Sequence, residues 1–197
     1  MYQKKELSYS LDALEPWMSK LTLYYQNKFY LRSVHKLNQL LLVDRPLEQV
    51  VQKIDDYPLE KRGDILFLSG RILNHELYFD SMSPKRRNQP VGKLKQAINQ
   101  QYGSYSQFLK EFKKVSHTLV GSGYTFVVVD KNNRLNIINM PNEETPYLYG
   151  FTPIMALDLW EHSYFLTYQD RIDEYIDAFF EVIDYEKINK RYEKIIL

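Results

Sequence analysis

Gly121-Ser122-Gly123 divides the chain into two kinds of pattern, and that division limits the fold more than any other feature. Before it, apolar residues recur at spacings of three and four, as along a helix; after it come short runs rich in β-branched and aromatic residues. Residues 9–17 read as an extended lead-in and turn. Over residues 19–42 the positions Leu21, Tyr24, Tyr25, Phe29, Leu37, Leu40 and Leu41 predict a helix, ended by Asp44-Arg45-Pro46. A shorter helix fits residues 47–54, and Asp55-Asp56-Tyr57-Pro58 breaks it. A long helix fits residues 64–82, carries His75 and closes at Ser83-Pro84. Further helices fit 91–102 and 105–118. Residues 124–129 and 134–140 read as strands joined by the turn Asp130-Lys131-Asn132-Asn133. A third strand fits 154–157, placing Asp158 at its end, and helices after Gln169 finish the chain.

This order predicts an α+β fold. A helical-hairpin lobe over residues 1–84 precedes a lobe over 91–197, where a three-stranded antiparallel sheet is flanked by helices. The polar, basic stretch 85–90 is the expected boundary, with Lys85-Arg86-Arg87 as a solvated turn. The 17 tyrosines suit broad aromatic interfaces and pockets that exclude water.

Charge and cysteine content narrow the function. Lys+Arg 26 against Asp+Glu 25 leaves a net charge of +1, which argues against a general nucleic-acid or membrane-surface binder. Without cysteine there is no disulfide framework and no thiolate metal site, as suits a reducing cytoplasm. The N-terminus lacks the apolar core of a signal peptide, and no apolar run approaches the ~18 residues of a membrane span.

The chemistry gathers at Asp158-Leu159-Trp160-Glu161-His162. A carboxylate and an imidazole four residues apart, joined by His75 from the long helix, make a mixed oxygen and nitrogen donor set suited to a redox metal. Asp158 and His162 alone would more often be a loop carboxylate and a satisfied histidine.

Taken together, these residues resemble the iron/manganese superoxide dismutase family. The resemblance runs through Tyr9 to Pro16, Asn74-His75 with Tyr78 and Ser83-Pro84, Gly103-Ser104-Tyr105 with Phe108 and Phe112, Gly121-Ser122-Gly123, and Asp158 to His162 with Tyr164 and Tyr168. It implies one mononuclear iron or manganese per chain, superoxide as substrate, and His75, Asp158 and His162 at three of four protein ligand positions. It implies a homodimer through Glu161 and Tyr164, with Glu161 reaching a ligand histidine of the partner, and Trp160 as a wall of the site.

Half of the departures lie on the first long helix. Aligned on Lys28 and Leu37-Asn38, Tyr25 stands where the family's first ligand histidine is expected; Phe29 and Ser33 replace a histidine and a tyrosine at the gateway. Tyr25 either offers a phenolate oxygen to the metal or packs into the space the histidine leaves. His35 cannot substitute, since ten helical residues displace it by about 15 Å. Arg71 and Glu143 occupy the two places from which the family supplies a solvent-binding glutamine, which invites an ion pair between them, and Tyr124 replaces a pocket tryptophan. These substitutions leave two readings: a superoxide dismutase-like metalloprotein, with Tyr25, Arg71, Tyr124 and Glu143 as the altered catalytic shell, or a non-catalytic relative serving as a structural or interaction subunit.

Overall fold

The computed structural model describes residues 1–42, 45–85 and 87–197. Asp44 and Arg86, which the sequence assigns to a helix stop and a basic turn, lie outside the described residues. The helices are α1 (Lys20–Leu40), α2 (Leu47–Gln52), α3 (Leu59–Asp80), α4 (Gly92–Tyr102) and α5 (Tyr105–Ser116), with a short 3-10 turn at Ile54–Asp56. Strands β1 (Gly123–Val129), β2 (Leu135–Pro141) and β3 (Thr152–Asp158) follow, then α6 (Glu161–Tyr168), α7 (Ile172–Val182) and α8 (Tyr185–Ile196). Among the described residues no helix is long and apolar enough to cross a membrane.

The sheet has order β2-β1-β3 and is antiparallel throughout, so the α+β expectation holds. Every residue of β1 is buried, as its unbroken apolar run requires of a central strand. The β1–β2 turn is held by Asp130, whose Oδ1 accepts from the backbone of Asn132 at 2.8 Å and of Arg134 at 2.9 Å. Helix α1 starts where Ser19 accepts from the backbone N–H of Thr22, and α5 where Ser104 accepts from that of Gln107.

Two details differ from the periodicity. Helix α6 is absent from the predicted elements. It has eight residues with apolar side chains on several sides, so no stripe announces it. On α1 the apolar spacing finds the inner face only in its second half: Leu37 is buried as expected, but Leu21, Tyr24 and Tyr25 are exposed, and Leu23, Gln26, Tyr30, Ser33 and Val34 are buried instead. Packing against α3 and α6 decides this orientation, and it admits polar residues to the inner stripe.

Tyrosine hydroxyls make much of the core polar as well as aromatic. Tyr175 donates to the backbone carbonyl of Asp158 at 2.7 Å and lies 3.2 Å from the hydroxyl of Tyr78. Tyr168 donates to the carbonyl of Trp17 and Tyr9 to that of Phe79. A buried phenol needs such a partner, and each bond ties together segments distant in sequence.

Candidate metal centre

Asp158 closes β3 and is fully buried. Its two carboxylate oxygens have separate duties. Oδ1 accepts from the backbone N–H of Trp160 at 2.9 Å, which turns the chain out of the strand and into α6. Ser163 donates to the carbonyl of Asp158 at 2.8 Å and fixes the same corner. Oδ2 is left facing inward, and α6 returns His162 to it with Nε2 at 3.1 Å. From α3, His75 brings its Nε2 to 3.9 Å from the same oxygen. The donor atoms of His75, Asp158 and His162 all lie within 4.8 Å of one another. Three separated segments therefore converge on one point.

His75 is prepared for a lone-pair role. Its Nδ1 lies 2.9 Å from the carbonyl of Arg71, an acceptor only, so Nδ1 carries the proton and donates. That leaves Nε2 unprotonated, and among the described residues it makes no hydrogen bond. Burial lowers the pKa of His75 to about 4, with the Asp158 carboxylate opposing, so the ring is neutral at physiological pH. Burial also disfavours charge on His162, but the Asp158 carboxylate outweighs it and raises that pKa. Desolvation likewise works against the charge of Asp158, and the two imidazoles hold its pKa below the ordinary value.

This set fits a metal ion. Nitrogen and oxygen donors about 2.1 Å from a common ion stand about 3.0–4.2 Å apart, depending on the angle between them. The separations of 3.1 and 3.9 Å to Asp158 Oδ2 fall in that range. Two imidazoles with one carboxylate is also a donor set that iron and manganese accept. An orphaned, buried imidazole nitrogen is costly without a partner, and a cation would satisfy it.

The surrounding shell is partly as the sequence suggested. Trp160 stacks on His162 with ring centroids 5.8 Å apart, walling one side, and Phe29 lies 5.2 Å from the same ring. Tyr124 is fully buried, with its hydroxyl 3.2 Å from Nδ1 of His75. Arg71 and Glu143 do form an ion pair, Nε to Oε1, at 2.7 Å. Asn142 adopts a φ of 52° and turns the chain so that Glu143 reaches back over α3. Gly70 makes that approach possible, because a Cβ there would meet the carbonyl oxygen of Glu143 at 1.9 Å. Burial raises the pKa of Glu143 to about 7, against the lowering effect of Arg71. The Arg71 guanidinium also lies over Phe67 at 4.5 Å and faces Trp160 at 5.7 Å. It lines a surface groove with Phe29, Arg32, Ser33, Lys36, Asp64 and Phe67, in which three cations face one carboxylate.

Tyr25 is not where the sequence alignment suggests. The residue is 44% exposed, packs edge-on against Tyr24 at 5.4 Å, and lines the rim of a shallow surface pocket with Phe29, Glu161, His162 and Phe165. It neither enters the donor cluster nor fills the space behind it. Its neighbour Gln26 does. That residue is 0% exposed and donates from its amide nitrogen to Asp158 Oδ2 at 3.2 Å. Sequence reasoning missed it because a lone glutamine carries no metal signal. The series Leu23, Gln26, Tyr30, Val34, Leu37, spaced three and four apart, was the available sign that Gln26 belongs to the inner face.

Comparison with known proteins agrees with this architecture along the whole chain. Residues 1–83 match the model of the iron/manganese superoxide dismutase alpha-hairpin domain, and residues 90–191 match that of the C-terminal domain. The chain is 36% identical to the superoxide dismutase (Mn) of Listeria ivanovii over 198 residues, covering 98% of each chain. It is 36% identical to the superoxide dismutase (Fe) of Bacteroides fragilis, covering 96% of this chain and 98% of that one. It is 35% identical to the superoxide dismutase (Mn/Fe) of Porphyromonas gingivalis, covering 94% and 96%. With both domain models matched and such identity over nearly its full length, the chain belongs to the iron/manganese superoxide dismutase family.

Proposed function

We propose that this protein is a superoxide dismutase acting at one iron or manganese per chain, held by His75, Asp158 and His162. Two superoxide anions and two protons would give one oxygen and one hydrogen peroxide. The observation that carries this reading is the convergence of two buried donors, His75 and Asp158, and the half-buried His162, with the lone pair of His75 Nε2 unsatisfied. When bound, the metal would supply a one-electron couple between its trivalent and divalent states.

The chain's own residues support the rest of the task. Arg32, Lys36 and Arg71 line the groove beside Phe29 and would draw a small anion inward by electrostatic attraction. The carbonyl of Arg71 fixes the tautomer of His75, and the Trp160 N–H and Tyr175 hydroxyl fix Asp158, so the donors are oriented before any ion arrives. Trp160 and Phe29 cover His162 and limit water. Glu143, with its pKa raised to about 7, can hold and release a proton near neutral pH beside the site. Phe29 and Ser33 occupy gateway places for which the family resemblance implies a histidine and a tyrosine, so proton delivery is poorer and turnover is expected to be slower than with those groups.

The proposal includes a homodimer through Glu161 and Tyr164. Exposed Leu21, Tyr24, Tyr25, Phe165 and Leu166 leave an apolar face on α1 and α6 beside exposed Glu161, which supports a self-association surface there. A cytoplasmic location belongs to the same reading, since a chain without cysteine suits a reducing compartment.

A second reading is a non-catalytic family member that serves as a structural or interaction subunit, favoured by the loss of a histidine at position 25. Metal analysis of the purified protein together with superoxide consumption separates the two. Close to one iron or manganese per chain, with superoxide consumption that disappears in His162→Ala, is the result expected of the dismutase. Bound metal without consumption, or neither, would leave the second reading.

A further inference from the structure

The side-chain carbonyl oxygen of Gln26 is buried and makes no hydrogen bond among the described residues. Leaving such an acceptor unpaired is unfavourable. The amide nitrogen of the same group donates to Asp158 Oδ2 at 3.2 Å, the oxygen on which His75 and His162 also converge. Within an amide the oxygen lies about 2.2 Å from the nitrogen, by its bond lengths, which puts Oε1 within about 5.4 Å of Asp158 Oδ2. Gln26 Oε1 and His75 Nε2 are thus two buried atoms without a hydrogen bond in the neighbourhood of the oxygen common to the cluster.

We propose that Gln26 is the fourth protein ligand, binding iron or manganese through Oε1 alongside His75, Asp158 and His162. This rests on the metal-site reading above and names a residue that the alignment passes over, since the alignment points to position 25. A step of one residue turns a helical side chain by about 100°. Tyr25 therefore faces out, with the residue 44% exposed, and Gln26 faces in.

The chemistry agrees with this choice. An amide oxygen is a neutral, hard donor that suits manganese and iron, and in replacing an imidazole it leaves the charge of the ligand set unchanged. A phenolate would have added a negative charge and stabilised the trivalent metal. The amide N–H group keeps its bond to Asp158 Oδ2 and so holds the carboxylate for coordination, as hydrogen-bond donors to ligating carboxylates do in other metal sites.

The test uses full-length metal-free protein as wild type, Gln26→Met, Gln26→Glu and Tyr25→Ala. Each is titrated with Mn2+ and, for visible spectroscopy, with Co2+, and the melting temperature is measured without metal. Methionine keeps nearly the volume of glutamine but lacks the hard oxygen, so Gln26→Met should bind both metals at least about tenfold more weakly. Its Co2+ absorption should change in band position and intensity, while its metal-free melting temperature stays within a few degrees of wild type. Gln26→Glu, with an oxygen at the same reach, should restore binding, and Tyr25→Ala should stay within about twofold of wild type. Wild-type affinity and an unchanged Co2+ spectrum in Gln26→Met overturn the ligand assignment and leave the three-donor site standing. So does a lowered metal-free melting temperature with unchanged affinity, which marks Gln26 as a packing residue. Wild-type protein that takes up neither metal overturns the assignment and the metal-site reading together.

Discussion

The strand end at Asp158 and the inner face of α1 meet at one point, but they reach it by different kinds of determination. From Asp158 to His162 the geometry is local: one carboxylate oxygen caps the turn, and four residues later the imidazole returns to the other. The spacing of the residues nearly dictates that result. On α1 two series at helical spacing compete, one through Tyr25 and one through Gln26, and spacing alone does not choose between them. Contact with α3 and α6 rotates the helix so that the polar neighbour enters and the aromatic one stays at the rim. A motif closed within five residues can be read from sequence; a residue delivered by a helix face depends on packing some 130 positions away.

That contrast can be broken experimentally. The largest effect is expected at the strand end: Asp158→Ala should weaken manganese or iron binding by at least about 1,000-fold, or about 4 kcal/mol, measured by metal titration. A smaller loss would mean that the local motif is not the anchor.

The next effect concerns a pair brought together by tertiary packing, Arg71 on α3 and Glu143 after β2. Arg71→Met strands a buried carboxylate and should cost about 3 kcal/mol by denaturant unfolding of the metal-free protein. Arg71→Met combined with Glu143→Gln should cost clearly less. Equal costs would dispose of the ion pair as a coupled unit.

A pH dependence follows from the same carboxylate. Burial raises its folded pKa to about 7 from an ordinary 4.5, so between those values the folded state binds the proton more than the unfolded one. This group's contribution therefore makes stability fall as pH rises through that window, by at most about 1.4 kcal/mol per pH unit. Stability curves of wild type and Glu143→Gln should differ in this slope and run parallel above about pH 8. The smallest effect is expected at Tyr25→Ala, under about 0.5 kcal/mol in the isolated protomer, as for an exposed side chain. A large loss there would move Tyr25 back into the site.

Much of the architecture was legible before any coordinates. The three strands, their turn and the long helix carrying His75 all follow from changes of period and from Pro, Gly and Asp punctuation. His75, Asp158 and His162 were legible as a donor set, and the Arg71–Glu143 pair as an exchange of charges. Helix α6 was not, because eight residues with apolar groups on several sides give no stripe. Gln26 was not, because an amide has no signal of its own until burial and an unpaired oxygen reveal it.

Anomalous diffraction from crystals of the manganese- or iron-loaded protein, recorded at the absorption edge of the metal, reads the convergence itself. A single peak per chain about 2.1 Å from His75 Nε2, Asp158 Oδ2 and His162 Nε2 is the expected outcome. A peak elsewhere, or none at full loading with those three side chains turned apart, would contradict a metal centre built on them.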